Sequence, residues 1–94
     1  MIRYSAIVQG RVQGVGFRYF IQLTACKLSL TGWCKNLMNG NVEIEVQGLE
    51  NNVLSFVSEI KKGNGFAKVS DIDLNILPVL DGEKKFSIKY WWRK

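Results

Sequence analysis

The spacing of apolar residues changes period repeatedly along this chain, and that succession constrains the fold more than any other feature. Over residues 2–10 the pattern alternates, with Tyr4, Ala6 and Val8 on one face, as in a strand. Phe17, Ile21, Ala25 and Leu28 then recur at spacings of four and three, which places them on one stripe of a helix over residues 17–28. Alternation returns over residues 31–37 and 41–47. In the second of these strands Val42, Ile44 and Val46 face one way and Glu43, Glu45 and Gln47 the other, which predicts a sheet with one solvated face. Asn39-Gly40 between them predicts a tight hairpin, since both residues tolerate positive φ. Val53, Phe56, Val57 and Ile60 form a second helical stripe over residues 50–62, stopped by Gly63-Asn64-Gly65. A strand through Ala67, Val69, Ile72, Leu74 and Ile76 follows. Its alternation slips after Val69, which predicts a bulge near Ser70. Phe86, Ile88 and Tyr90 mark a closing strand.

The order is βαββαβ, with the last β segment divisible in two. Two helical stripes and a sheet with one apolar face predict an α+β two-layer sandwich of the ferredoxin-like kind. Both helices are expected on one face of a mostly antiparallel sheet. No linker, repeat or low-complexity tract interrupts the 94 residues, so one domain spanning 1–94 is expected. That architecture hosts many functions, and the function has to be read from a site.

Several classes fall away on composition. No run of roughly 18 apolar residues is present, so no membrane span and no membrane partner are expected. The first ten residues lack a signal-peptide pattern, and a cytoplasmic location is the expectation. The net charge of +5 favours anionic ligands. It does not choose among nucleic acid, membrane surface and small phosphate, and a role in solubility accounts for it as well. The chain has no histidine, and its two cysteines, Cys26 and Cys34, do not form a Cys-x-x-Cys pair. That inventory excludes a Cys–His nucleophile and makes a zinc set implausible. No metal or cofactor is expected. Two buried free thiols are the primary reading, with a disulfide as the lesser alternative.

The segment Gly10-Arg11-Val12-Gln13-Gly14-Val15-Gly16-Phe17-Arg18 joins the first strand to the first helix. Glycines allow a tight backbone whose successive N–H groups converge on an anion, and a helix N-terminus adds free donors. Arg18, in the first helical turn, can grip phosphate oxygens with its planar fork. The loop lacks the Gly-Lys-Ser/Thr ending of a P-loop and the third glycine of a dinucleotide fingerprint. The residues alone leave two readings open: an anion cradle, or a tight turn with an exposed arginine.

This segment resembles the signature of the acylphosphatase family. Thr31-Gly32-Trp33-Cys34-Lys35-Asn36 is similar to the family's second motif, which ends in an asparagine, and the likeness continues to Phe86-Ser87-Ile88-Lys89-Tyr90. Three departures stand outside both motifs. Ser29 occupies the usual glycine position after the first helix, Gly63-Asn64-Gly65 replaces a usual Gly-Pro, and Trp91-Trp92-Arg93-Lys94 extends the tail. The resemblance implies a metal-independent hydrolase that cleaves the carboxyl–phosphate anhydride of an acyl phosphate and releases inorganic phosphate. Gln13, Gly14, Val15, Gly16, Phe17 and Arg18 would bind the phosphoryl group, and the catalytic residues would be Arg18 and Asn36, the latter orienting water.

The reaction suits a chain without histidine. A carboxylate with a pKa of about 4 leaves without a proton, and a loose phosphoryl-transfer transition state needs mainly positioning and charge stabilisation. Asn36 alone would equally well be a backbone-capping residue near a hairpin. The alternative function is a non-catalytic single-stranded nucleic-acid-binding module, with Trp33, Trp91 and Trp92 stacking bases on the open face. Residues 41–47 speak against it, having two glutamates and no aromatic residue. Nucleic acid is therefore not the expected partner, the tryptophans are expected to pack or to form a dimer contact, and a monomer is expected.

Overall fold

The alternating and helical stretches fold in the predicted order in a computed structural model that describes residues 1–90. The elements are β1 (Ile2–Arg11), α1 (Phe17–Lys27), β2 (Thr31–Asn36), β3 (Val42–Gly48), α2 (Glu50–Lys62), β4 (Lys68–Leu77) and β5 (Phe86–Lys89). One sheet holds all five strands in the order β4-β1-β3-β2-β5. Pairing is antiparallel except between β2 and β5, which run parallel. The final β segment of the predicted pattern is thus two strands at opposite edges of the sheet. No helix among the described residues is long and apolar enough to cross a membrane.

Both helical stripes meet the face formed by Ala6, Val8, Cys34, Val42, Ile44, Val46 and Phe86. Phe17, Ile21 and Ala25 contribute from α1, and Val53, Phe56 and Ile60 from α2. Phe56 and Phe86 meet with ring centroids 6.2 Å apart, which ties α2 to the β5 edge. Truncating an aromatic residue buried this deeply costs about 3–5 kcal/mol, because the surrounding core collapses only in part. The bulge predicted near Ser70 is present: Gln9 pairs with Asp71 and Gly10 with Val69, so Ser70 has no partner in the ladder. Gly10 is required opposite it, since a Cβ there would collide with the Lys68 carbonyl.

Three expectations need correction. The hairpin is not built from two positive-φ residues, because Asn39 stays at negative φ and only Gly40 (φ 96°) is left-handed. Gly40 N–H donates to Leu37 C=O at 3.2 Å, Leu37 N–H donates to Asn41 C=O at 2.8 Å, and Asn39 Oδ1 accepts from Asn41 N–H. This is a turn closed by a glycine bulge, a longer solution than the two-residue one. Cys26 is exposed, because one position beyond Ala25 rotates it off the α1 stripe. Cys34 alone is buried, and both thiols are free.

The third correction concerns the face expected to be solvated. Segment 78–85 folds over one end of it. Gln47 Nε2 donates to Leu80 C=O at 2.9 Å and Leu80 N–H donates back to Gln47 Oε1 at 2.9 Å, so Gln47 is buried. Beneath the segment lies Arg3, only 1% exposed, bonded to Glu45, Gln47 and Glu83. Burial pushes the Glu83 carboxyl up. Bonds from Arg3 and Thr31, with the charges of Arg3 and Lys89, outweigh it and hold the group below the ordinary carboxylate value. Trp33, also off the core side, packs beneath the ammonium groups of Lys89 and Lys35, 4.5 and 5.5 Å from its ring centroid. Trp91 and Trp92 lie outside the described residues.

Candidate active site

Strand direction brings the two motifs together. β1 and β2 both run antiparallel to β3, and β5 runs parallel to β2, so three carboxyl ends share one end of the sheet. The loop after β1, Asn36 at the end of β2, and Tyr90 just past β5 meet there. An open cleft of about 280 Å³ at that end is lined by Val12, Gly14, Gly16, Phe17, Arg18, Tyr19, Asn36, Ile88 and Tyr90. Arg18 and Asn36, 18 positions apart in sequence, face the same space.

The cradle loop takes its shape from two left-handed residues, Gly14 (φ 74°) and Gly16 (φ 72°). Nothing crowds a Cβ at either position, so the requirement for glycine comes from backbone conformation rather than space. Left-handed residues flanking Val15 turn successive N–H groups toward one concavity. Gly16 is also the N-cap of α1, and the first turn of the helix carries no acidic residue. The free N–H groups of that turn, and the positive end of the helix dipole, therefore favour an anion.

Of the residues singled out in the sequence, Gly14, Gly16, Phe17, Arg18 and Asn36 line the cleft. The Gln13 and Val15 side chains are not part of its wall. Gln13 Nε2 instead donates to Leu37 C=O at 2.7 Å and Asn41 C=O at 2.8 Å, tying the loop to the hairpin that follows Asn36. The Arg18 guanidinium lies 5.0 Å from the centroid of the Tyr90 ring, a cation–π contact that restricts where its fork can point. Asn36 Oδ1 is buried, with no hydrogen-bond partner among the described residues. Leaving a buried acceptor unsatisfied costs about 1–3 kcal/mol.

Beneath the site, Cys34 Sγ makes a long contact of 3.8 Å with the Arg18 carbonyl. Burial pushes its thiol up to about 12, the Arg18 charge only partly opposing, so it stays protonated and unreactive. Among the described residues no three of His, Cys, Asp or Glu form a group that could hold a metal ion. Sequence reasoning did not find the wall residues Tyr19, Ile88 and Tyr90 as site residues, nor the brace made by Asn64, whose Nδ2 donates to Val15 C=O at 2.9 Å. The one available signal was the departure Gly63-Asn64-Gly65, a polar residue where a proline is usual.

These features describe a small α+β domain with a glycine-bearing loop, Arg18 and Asn36 around one cleft at the end of the sheet. The acylphosphatase family model matches residues 4–88. An acylphosphatase of Bacillus licheniformis is 50% identical over 90 residues, covering 96% of this chain and 100% of the relative. The crystal structure of acylphosphatase from Bacillus subtilis superposes with a TM-score of 0.92 at 51% identity, covering 96% of this chain and 100% of that one. An acylphosphatase from Coxiella burnetii superposes with a TM-score of 0.89 at 32% identity, covering 94% and 92%. The chain belongs to the acylphosphatase family. It is an enzyme, and family and fold together support acyl phosphate hydrolysis.

Proposed function

We propose that Arg18 and the loop N–H groups from Gln13 to Arg18 hold the phosphoryl group of an acyl phosphate while Asn36 orients the attacking water. The observation that carries this reading is that Asn36 shares the wall of one cleft with Arg18, Gly14 and Gly16. The Asn36 amide can hold a water at the cleft wall, aimed at a phosphoryl group gripped by Arg18. The oxygen of that water bonds to phosphorus as the bond to the acyl oxygen breaks. Its proton passes to a phosphoryl oxygen, and the carboxylate leaves with the electron pair and needs no acid. The products are a carboxylate and inorganic phosphate. Arg18 and the N–H groups meet the negative charge already present on the phosphoryl oxygens, so they serve binding and rate together.

The assay is hydrolysis of benzoyl phosphate beside p-nitrophenyl phosphate, whose leaving group is poorer, with preference for the anhydride expected. Arg18→Ala should lower kcat on the order of 10³-fold and weaken competitive inhibition by phosphate. Arg18→Lys should rescue little, because a point charge does not reproduce the fork. Asn36→Ala should lower kcat on the order of 10²–10³-fold while phosphate inhibits almost normally. Full kcat in Asn36→Ala, or normal phosphate inhibition in Arg18→Ala, would remove the assigned role.

A further inference from the structure

We propose that Asn64 is a positioning residue for the phosphate cradle, holding the Val15–Gly16 peptide so that the Gly16 N–H faces the phosphoryl group. The inference rests on the reading of the cradle given above. Asn64 lies in the turn between α2 and β4, 48 positions beyond Gly16 in sequence. Its Oδ1 accepts from Phe66 N–H at 3.0 Å and Ala67 N–H at 2.9 Å. Two backbone donors fix the oxygen end of the amide, so the other end must be the NH₂ donor. That donor meets Val15 C=O at 2.9 Å.

The consequence follows from peptide geometry. No described peptide bond is cis, and in a planar trans peptide the C=O and the following N–H point in opposite directions. Val15 is absent from the cleft wall and Gly16 is part of it. With its carbonyl drawn toward Asn64, the peptide presents the Gly16 N–H to the other side. A flip would change the φ of Gly16, and glycine accepts either sign of φ, so the loop's own conformation opposes it only weakly there. A flipped peptide would aim a carbonyl oxygen at the anion and turn an attraction into a repulsion. Gln13 already ties the loop to the Asn36 hairpin. Asn64 ties it to the α2–β4 turn, so the two anchors hold the loop to different parts of the fold.

The test uses Asn64→Asp, which keeps the acceptor for Phe66 and Ala67 and removes the donor to Val15. Phe66→Asp is the charge control, because Phe66 is 76% exposed and adds the same charge nearby. With benzoyl phosphate as substrate and inorganic phosphate as inhibitor, Asn64→Asp should raise both KM and the phosphate inhibition constant on the order of 10-fold, the scale of losing an outer-shell partner. Its kcat should stay within about threefold, and Phe66→Asp should behave as wild type. A variant that merely loses folded protein would show the opposite split, lower kcat with KM and inhibition unchanged. Wild-type protein gives a second measurement that needs no variant: the Gly16 amide resonance should move on titration with inorganic phosphate. An unmoved Gly16 amide, or wild-type phosphate inhibition in Asn64→Asp, overturns the proposal. Arg18→Ala run beside them separates the two levels. Weakened phosphate inhibition there with none in Asn64→Asp defeats only the Asn64 role, whereas normal inhibition in Arg18→Ala defeats the cradle itself.

Discussion

Ser29→Gly should stabilise this protein, although it removes a side chain and adds nothing. Ser29 is the one described non-glycine residue with positive φ, at 56°. It follows the C-cap Leu28, and the end of α1 is closed by Leu30 N–H donating to Ala25 C=O at 2.9 Å and Ser29 N–H donating to Cys26 C=O at 3.2 Å. That pair of bonds is the Schellman motif, which requires the left-handed conformation at Ser29. A residue with a Cβ loses roughly 1–2 kcal/mol there through contact with its carbonyl oxygen. Glycine removes that strain but gives the unfolded chain more freedom, which takes back about 0.5–1 kcal/mol. Ser29 is exposed, so little packing is lost. The net expectation is a gain of about 0.5–1 kcal/mol, or about 2–8 °C in Tm for a domain of this size. Urea unfolding with an unchanged m value is the assay. Ser29→Val should move the other way by about 1 kcal/mol or more, because a β-branched residue tolerates this region worst. A lower midpoint for Ser29→Gly, together with an unchanged one for Ser29→Val, would refute the strain argument.

Two further outcomes are expected. Activity on benzoyl phosphate should survive exhaustive EDTA treatment, since the carboxylate leaves unaided and the chain has no histidine to complete a metal set; loss of activity restored by magnesium or zinc would contradict the mechanism. Glu83→Gln should destabilise the protein by about 1–3 kcal/mol at pH 7 by weakening the bonds to the buried Arg3. The folded-state carboxyl lies below its ordinary value of 4.5, so this contribution is complete above that pH and is lost as pH falls through the lower, folded value. Urea midpoints of the two forms should therefore converge on acidification, and a gap that stays constant below pH 4 would refute the assignment.

The sequence by itself determined what is local. Period decides which face of each element is apolar, so both helices, the inward residues of the sheet and the bulge at Ser70 were legible without coordinates. The glycine loop leading into Arg18 was legible for the same reason, since the glycines and Arg18 are neighbours along the chain. Ser29 was legible only as a departure from a usual glycine position, and the structure showed that the position is left-handed. Tertiary structure decided what depends on distant partners. Cleft-lining Tyr90 became visible only because β5 runs parallel to β2 and brings its end to the cleft. Gln47 read as a solvated position in an alternating pattern, yet it and its neighbour Arg3 are buried because segment 78–85 supplies Glu83 and the Leu80 backbone to satisfy them. Asn64 read as a residue in a helix-stopping turn, and its contact with Val15 joins residues 49 positions apart. Periodicity carries no information about such pairings, because a hydrogen bond depends on where the folded chain places donor and acceptor rather than on their spacing in sequence.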